Sequence, residues 1–227
     1  MPRPGLSLLM PLVLMAFAVV LGWAFWLALT GQDGERLAGI ALAQVPLSGV
    51  SNPVTAVLLN YRAYDTLLEL GVLLSALLGI WSLGPAPPGF SPAAPVFRGL
   101  VVLVVPALIL VGGYMLWVGA HAPGGAFQGG ALLAAAGVML ALSGRERAGL
   151  PAEAGLRVVV SLGVVVFVLV GLGLMLVGSG FLHYPLGIAK WLILAIETAA
   201  TLAIGATLAA AYLGGLPRSR PRATRRS

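Results

Sequence analysis

Apolar runs of about 20 residues recur along the whole chain, each long enough to span a bilayer. Six of them, over 7–29, 54–83, 97–119, 125–143, 156–178 and 189–213, predict six transmembrane helices. The expected fold class is therefore all-α, a polytopic membrane protein. The first run has the position of a signal peptide, and Ala-Leu-Ala-Gln at 41–44 has a faint likeness to a cleavage site. Its apolar stretch is nevertheless longer than the roughly 7–15 residues of a signal-peptide core, and that site lies far downstream, so it reads as a span.

Composition sharpens this picture. Of 227 residues, 59% are hydrophobic and 9% charged, far from the roughly one-quarter charged residues of soluble domains. Cysteine is absent, which excludes disulfides, thiolate catalysis and iron–sulfur ligation. The two histidines, His121 and His183, fall in different loops, so neither a metal site nor a cofactor is expected. No nucleophile–base set is present, and no enzymatic activity is expected. With six spans, Arg3, Arg98, Arg145, Arg147, Arg157 and the arginines at 218, 220, 222, 225 and 226 share one side, against Arg36 and Lys190 on the other. The positive-inside rule then places both termini in the cytoplasm. The basic tail over 214–227 is expected to lie against anionic headgroups. A Pro/Gly-rich stretch over 84–96 divides a two-helix unit (1–83) from a four-helix unit (97–213).

The second span carries an anomaly. Asn52 and Pro53 have the residue types of a helix cap and a first helical position. A helix from there to Leu83 would place Arg62, Asp65 and Glu69 near mid-membrane. At 100° per residue the three lie within about 60° of one another, and Thr55 and Thr66 join the stripe. Three central charges cost roughly 8–10 kcal/mol on insertion scales. The fourteen Leu, Val and Ile residues of 54–83 return roughly 4–8 kcal/mol. The face must therefore meet protein or water, and one arginine cannot neutralise two carboxylates. The stripe is either a structural ion pair that fixes helix register or part of a proton or cation pathway.

Polar residues are sparse elsewhere. Lys190, Glu197 and Thr201 lie on one stripe of the last span, with Lys190 near the outer surface and Glu197 deeper, without a cation in its own helix. Such a glutamate is either protonated or paired across helices. Pro123, Gly124 and Gly125 end the third span in a tight turn. Gly125 with Gly129, and Ala126 with Gly130, form small-xxx-small pairs suited to close helix contact. Gln128 is placed for a cross-helix hydrogen bond.

Two of these segments resemble known families. Ser-Asn-Pro-Val-Thr-Ala-Val-Leu-Leu-Asn-Tyr-Arg-Ala-Tyr-Asp-Thr-Leu-Leu-Glu-Leu (51–70) resembles the MbhE-type helix pair. That pair forms the C-terminal end of the large MrpA subunit of multisubunit Mrp antiporters. Ala-Pro-Gly-Gly-Ala-Phe-Gln-Gly-Gly (122–130), with Phe127 at its centre, resembles the MnhB/MrpB family, whose hallmark is Pro-Gly-Gly-Gly-Phe-x-Gly-Gly. Here Ala126 stands in place of the third glycine. The family's histidine aligns with Ala120, so no role carries over to His121. The resemblance implies a non-catalytic subunit of a multisubunit Mrp-type cation (Na+)/proton antiporter in a prokaryotic cell membrane. Other Mrp-type or complex-I-like membrane subunits, the lipid bilayer, and Na+ and H+ would be its partners. A subunit of a related complex-I-like or hydrogenase-type ion pump, or a purely structural scaffold, is the alternative. Arg62, Asp65, Glu69, Thr55 and Thr66, then Glu197 and Lys190, are the ion-path candidates. Asn52, Pro53, Pro123, Gly124, Gly125, Phe127, Gln128, Gly129 and Gly130 are the packing and motif residues.

Overall fold

A computed structural model describes residues 4–30, 34–84, 95–145 and 148–214, with side chains from 11–30, 37–84, 95–145 and 148–214. Most of the Pro/Gly-rich linker (85–94), the basic tail (215–227), Arg3 and Arg147 lie outside the described residues. All regular structure among the described residues is helical. The chain is a multi-pass membrane protein: five helices are long and apolar enough to cross a membrane. A sixth, of 17 residues, sits at the lower end of the roughly 17–25 that a span requires.

The chain divides into two compact units, Met1–Ala43 and Gln44–Ser227. The first holds α1 (Pro4–Thr30) and most of α2 (Gly34–Gln44). The helix α2 falls between two of the expected spans, where no helix was expected, and is too short to cross a bilayer. The second unit holds α3 (Pro53–Ala56), α4 (Ala63–Ser82), α5 (Pro95–Val118), α6 (Ala126–Leu142), α7 (Glu153–Leu176) and α8 (Ala189–Leu213). By packing, the charged helix of the expected 1–83 unit goes with the C-terminal helices, since α4 lies against α7 and α8.

Two-thirds of the most apolar stretch of α8 is buried, whereas less than a third of the corresponding stretches of α4, α5 and α7 is buried. Small residues explain how it can be surrounded: Ala199, Ala200, Ala203, Gly205, Ala206, Ala209 and Ala210 let α6 and α7 approach its backbone. The main core gathers Leu59, Leu70, Phe167, Ile193, Ile196 and Ile204. A second cluster around Leu77, Trp81 and Leu156 fills the other end of α4.

The expected single helix over 54–83 is broken. Between α3 and α4, residues Val57–Tyr61 form one π-turn, and Arg62 leaves helical geometry at φ −122°, ψ 33°. The N–H of Arg62 donates to the Val57 carbonyl at 2.8 Å, five residues back. A π-turn inserts a residue into the ladder and rotates everything beyond it.

Candidate functional site

The N-terminal end of α3 and the C-terminal end of α5 are tied together. Asn52 caps α3 by accepting from the Val54 N–H at 3.1 Å. Its amide donates to the carbonyls of Gly119 at 2.7 Å and Ala122 at 2.9 Å. The Thr55 hydroxyl donates to the same Gly119 carbonyl at 2.6 Å. The N–H groups of Ser51 and Asn52 both reach the Ala120 carbonyl at 3.1 Å. Asn52 and Thr55 thus satisfy carbonyls of the turn that ends α5, which no helix partner serves. Pro53, first residue of α3, has no N–H to satisfy there.

Below this seam the polar stripe separates into two faces. Thr66 is buried, and its hydroxyl donates at 2.6 Å to the Leu58 carbonyl, eight residues back across the π-turn. Thr55 is buried as well. Arg62 and Asp65 form an ion pair on the opposite, outward side, with side chains 71% and 44% exposed, and Glu69 is exposed one turn further. The expectation of one polar stripe is corrected: the threonines face the core and the charges face away from it. Asp65, Thr66 and Glu69 all lie in the regular turns of α4 and span an arc of about 100°, so the edge of the core falls within that arc, between Thr66 and the two acids; the π-turn resets only Thr55 relative to them. Within the unit Gln44–Ser227, nothing among the described residues covers the charged face. Asn60, which the sequence did not single out, donates to the Ser48 carbonyl at 3.1 Å.

The second constellation lies at the start of α6. Gly125, at φ +119°, is the residue before that helix. A Cβ there would stand 3.1 Å from Glu197 Oε1, so glycine leaves room for the carboxyl as well as meeting the backbone requirement. Glu197 accepts from the N–H of Ala126, the first residue of α6. Gly124 packs on the α5 backbone, where a Cβ would meet the Met115 carbonyl at 2.5 Å. Gly129 and Gly130 are buried between α5 and α8. Cβ atoms on them would come within 2.9 Å of the Gly112 carbonyl and 2.7 Å of Ile204. Phe127 is partly buried against the main core, while Gln128, His121 and His183 are exposed. Lys190 is half-buried at the first turn of α8. Thr201 is buried and donates to the Glu197 carbonyl at 2.7 Å.

Tyr184, in the loop before α8, is buried with no hydrogen-bond partner on its hydroxyl. Burial pushes its phenol above the ordinary tyrosine range. No sequence signal distinguished it from an exposed loop tyrosine. Among the described residues, no group of His, Asp or Glu has the arrangement of a metal site.

The sequence model of a family described as a domain related to the MnhB subunit of Na+/H+ antiporter matches residues 96–214, over half of the chain. The chain belongs to the MnhB family. The MnhB-type region takes in α5 to α8, and with them both the glycine turn and Glu197; the charged α4 precedes it. Among solved structures, the chain is similar to one from the Mrp complex of Dietzia sp. DQ12-45-1b, at 25% identity and TM-score 0.64. That similarity covers 97% of this chain, α4 included, but the chain spans only 27% of the length of its Dietzia counterpart. It is also similar to a chain of the membrane-bound sulfane sulfur reductase, an archaeal respiratory membrane complex, at 27% identity and TM-score 0.65. There the similarity covers 88% of this chain and 97% of the other. No curated protein matches.

Proposed function

We propose that this MnhB-family chain is a non-catalytic membrane subunit of a multisubunit Mrp-type cation (Na+)/proton antiporter in a prokaryotic cell membrane. In this reading it contributes both to the ion path and to assembly. The observation that carries the reading is the outward face of α4. Arg62 and Asp65 neutralise each other, Glu69 remains as an acid without a cation partner among the described residues, and all three project away from the chain's own core. Charges inside a membrane span face protein or water rather than acyl chains. Other Mrp-type or complex-I-like subunits supply that surface, and the leftover carboxylate becomes a carrier site for Na+ or H+ between subunits. The family match and the likeness to an Mrp-complex chain over nearly the whole length support the same assignment.

Asp65→Asn and Glu69→Gln test it in the assembled complex. The expected outcome is loss of cation/proton exchange in everted vesicles, with the complex still migrating intact on native gels. Full exchange in both variants would exclude the ion-path role. Dissociation of the complex, with exchange restored by an apolar repacking of the face, would make the chain a scaffold instead.

A further inference from the structure

Glu197 is enclosed by its own chain in a way that the charged face of α4 is not. It is 3% exposed, in the N-terminal half of α8, the most buried of the long apolar helices. Its carboxyl accepts from the Ala126 N–H, and Oε1 lies against Gly125. Oε2 has no hydrogen-bond partner, and a water-sized sphere cannot reach it. The N-terminus of a 17-residue helix, itself an electropositive end, therefore meets a buried carboxyl with one oxygen left unserved.

The charged and titratable groups on the surrounding elements leave Glu197 alone. The helix α6 carries none. On α7, Glu153 and Arg157 pair with each other at 2.7 Å. Just before α4, Arg62 pairs with Asp65, and on α4 Tyr64 and Glu69 are exposed; on α5, Arg98 and Tyr114 are exposed. His121 and His183 in the loops are exposed, Tyr184 is buried, and in α8 Lys190 lies two turns before Glu197 and Tyr212 about four turns after it. Among the described residues no cation pairs with Glu197.

We propose that Glu197 is an occluded proton-binding site, with the Pro123–Gly125 turn and the first amide of α6 as its receptor. The proposal deepens the ion-path reading above, on which its role in transport rests. The lack of further oxygen ligands selects the ligand. A metal cation needs several oxygen ligands around it, whereas Oε2 has no polar partner within hydrogen-bond distance. A proton needs no such ligand set. Binding adds one proton to one carboxylate: an O–H bond forms at Oε2 and the side chain goes from −1 to 0, while a hydronium ion of the aqueous phase breaks one O–H bond and leaves as water, the turn opening long enough to admit it. An ionised carboxylate buried without a cation is far more costly than a neutral one, so occupancy is coupled to how tightly the turn closes.

The test is infrared difference spectroscopy on the full chain in lipid nanodiscs, across a pH step and in the presence or absence of Na+. The expected result is a carbonyl-stretch band of a buried protonated carboxyl, sensitive to deuteration. It is lost in Glu197→Gln, shifted in Glu197→Asp and retained in Asp65→Asn/Glu69→Gln. The aspartate variant keeps the test decisive if the glutamine variant does not fold. Three results overturn the proposal: a band that survives unchanged in both Glu197 variants, no such band in the folded wild type, or a band displaced by Na+ at constant pH. No partner subunit or ion flux enters this measurement. Its failure and that of the α4 reading are thus separately visible.

Discussion

Thr66 shows how one side chain can hold a broken helix together. The π-turn leaves the Leu58 carbonyl without its usual donor, and the Thr66 hydroxyl takes that place. Leaving a buried carbonyl unserved costs about 1–3 kcal/mol in soluble proteins, while membrane hydrogen bonds average nearer 0.6 kcal/mol. Thr66→Val should therefore lower stability by about 1 kcal/mol, with Thr66→Ser close to wild type, read as thermal midpoints in detergent. Equal midpoints for all three would mean that another donor serves Leu58. At this scale the sequence was only partly legible. Residue types marked Asn52 as a cap, and the structure has it so. The split between threonines and charges could not be read: where the core ends within the arc shared by Asp65, Thr66 and Glu69 depends on what packs against α4, and the π-turn that shifts Thr55 leaves no compositional mark in Val-Leu-Leu-Asn-Tyr.

The helices themselves were the most legible level. Apolar runs foretold α1, α5, α6, α7 and α8 to within a few residues, since lipid allows a spanning backbone no alternative in a single-run segment. The short α2 escaped because its sequence, with Glu35, Arg36 and Gln44, is too polar and brief for that criterion. The glycines of the helices fall into two classes that spacing alone does not separate. Gly130 faces Ile204 at a distance that leaves no room for a methyl group, whereas a Cβ on Gly113 meets nothing within 4 Å. Gly130→Ala should destabilise by about 1–3 kcal/mol through overpacking of α6 on α8. Gly113→Ala should be neutral or stabilising by up to about 1 kcal/mol, from helix propensity. Thermal unfolding of the purified chain decides the pair, and equal losses would contradict the packing described.

The span order places 51–55 and 119–122 at the same membrane face, and the hydrogen-bonded seam joins those two segments. Membership of a multisubunit membrane family was legible from the glycine motif and the charged helix together. What meets the charged face was not, because in the proposed reading that cover belongs to other chains. Orientation can be tested directly, since the chain has no cysteine of its own. Leu186 and Arg145 are both exposed, in the loops before α8 and after α6. A membrane-impermeant thiol reagent should label Leu186→Cys in intact cells and Arg145→Cys only after permeabilisation. The reverse pattern would invert the topology.

Between α3 and the enclosed glutamate runs a short line of contacts: Thr55 grips the Gly119 carbonyl, Gly119 abuts Gly125, and Gly125 abuts the carboxyl. Beyond Thr55 its links are main chain and bare methylenes. Truncating side chains has little there to remove. Only bulkier replacements can jam it, so harmful variation along this route should come from atoms gained.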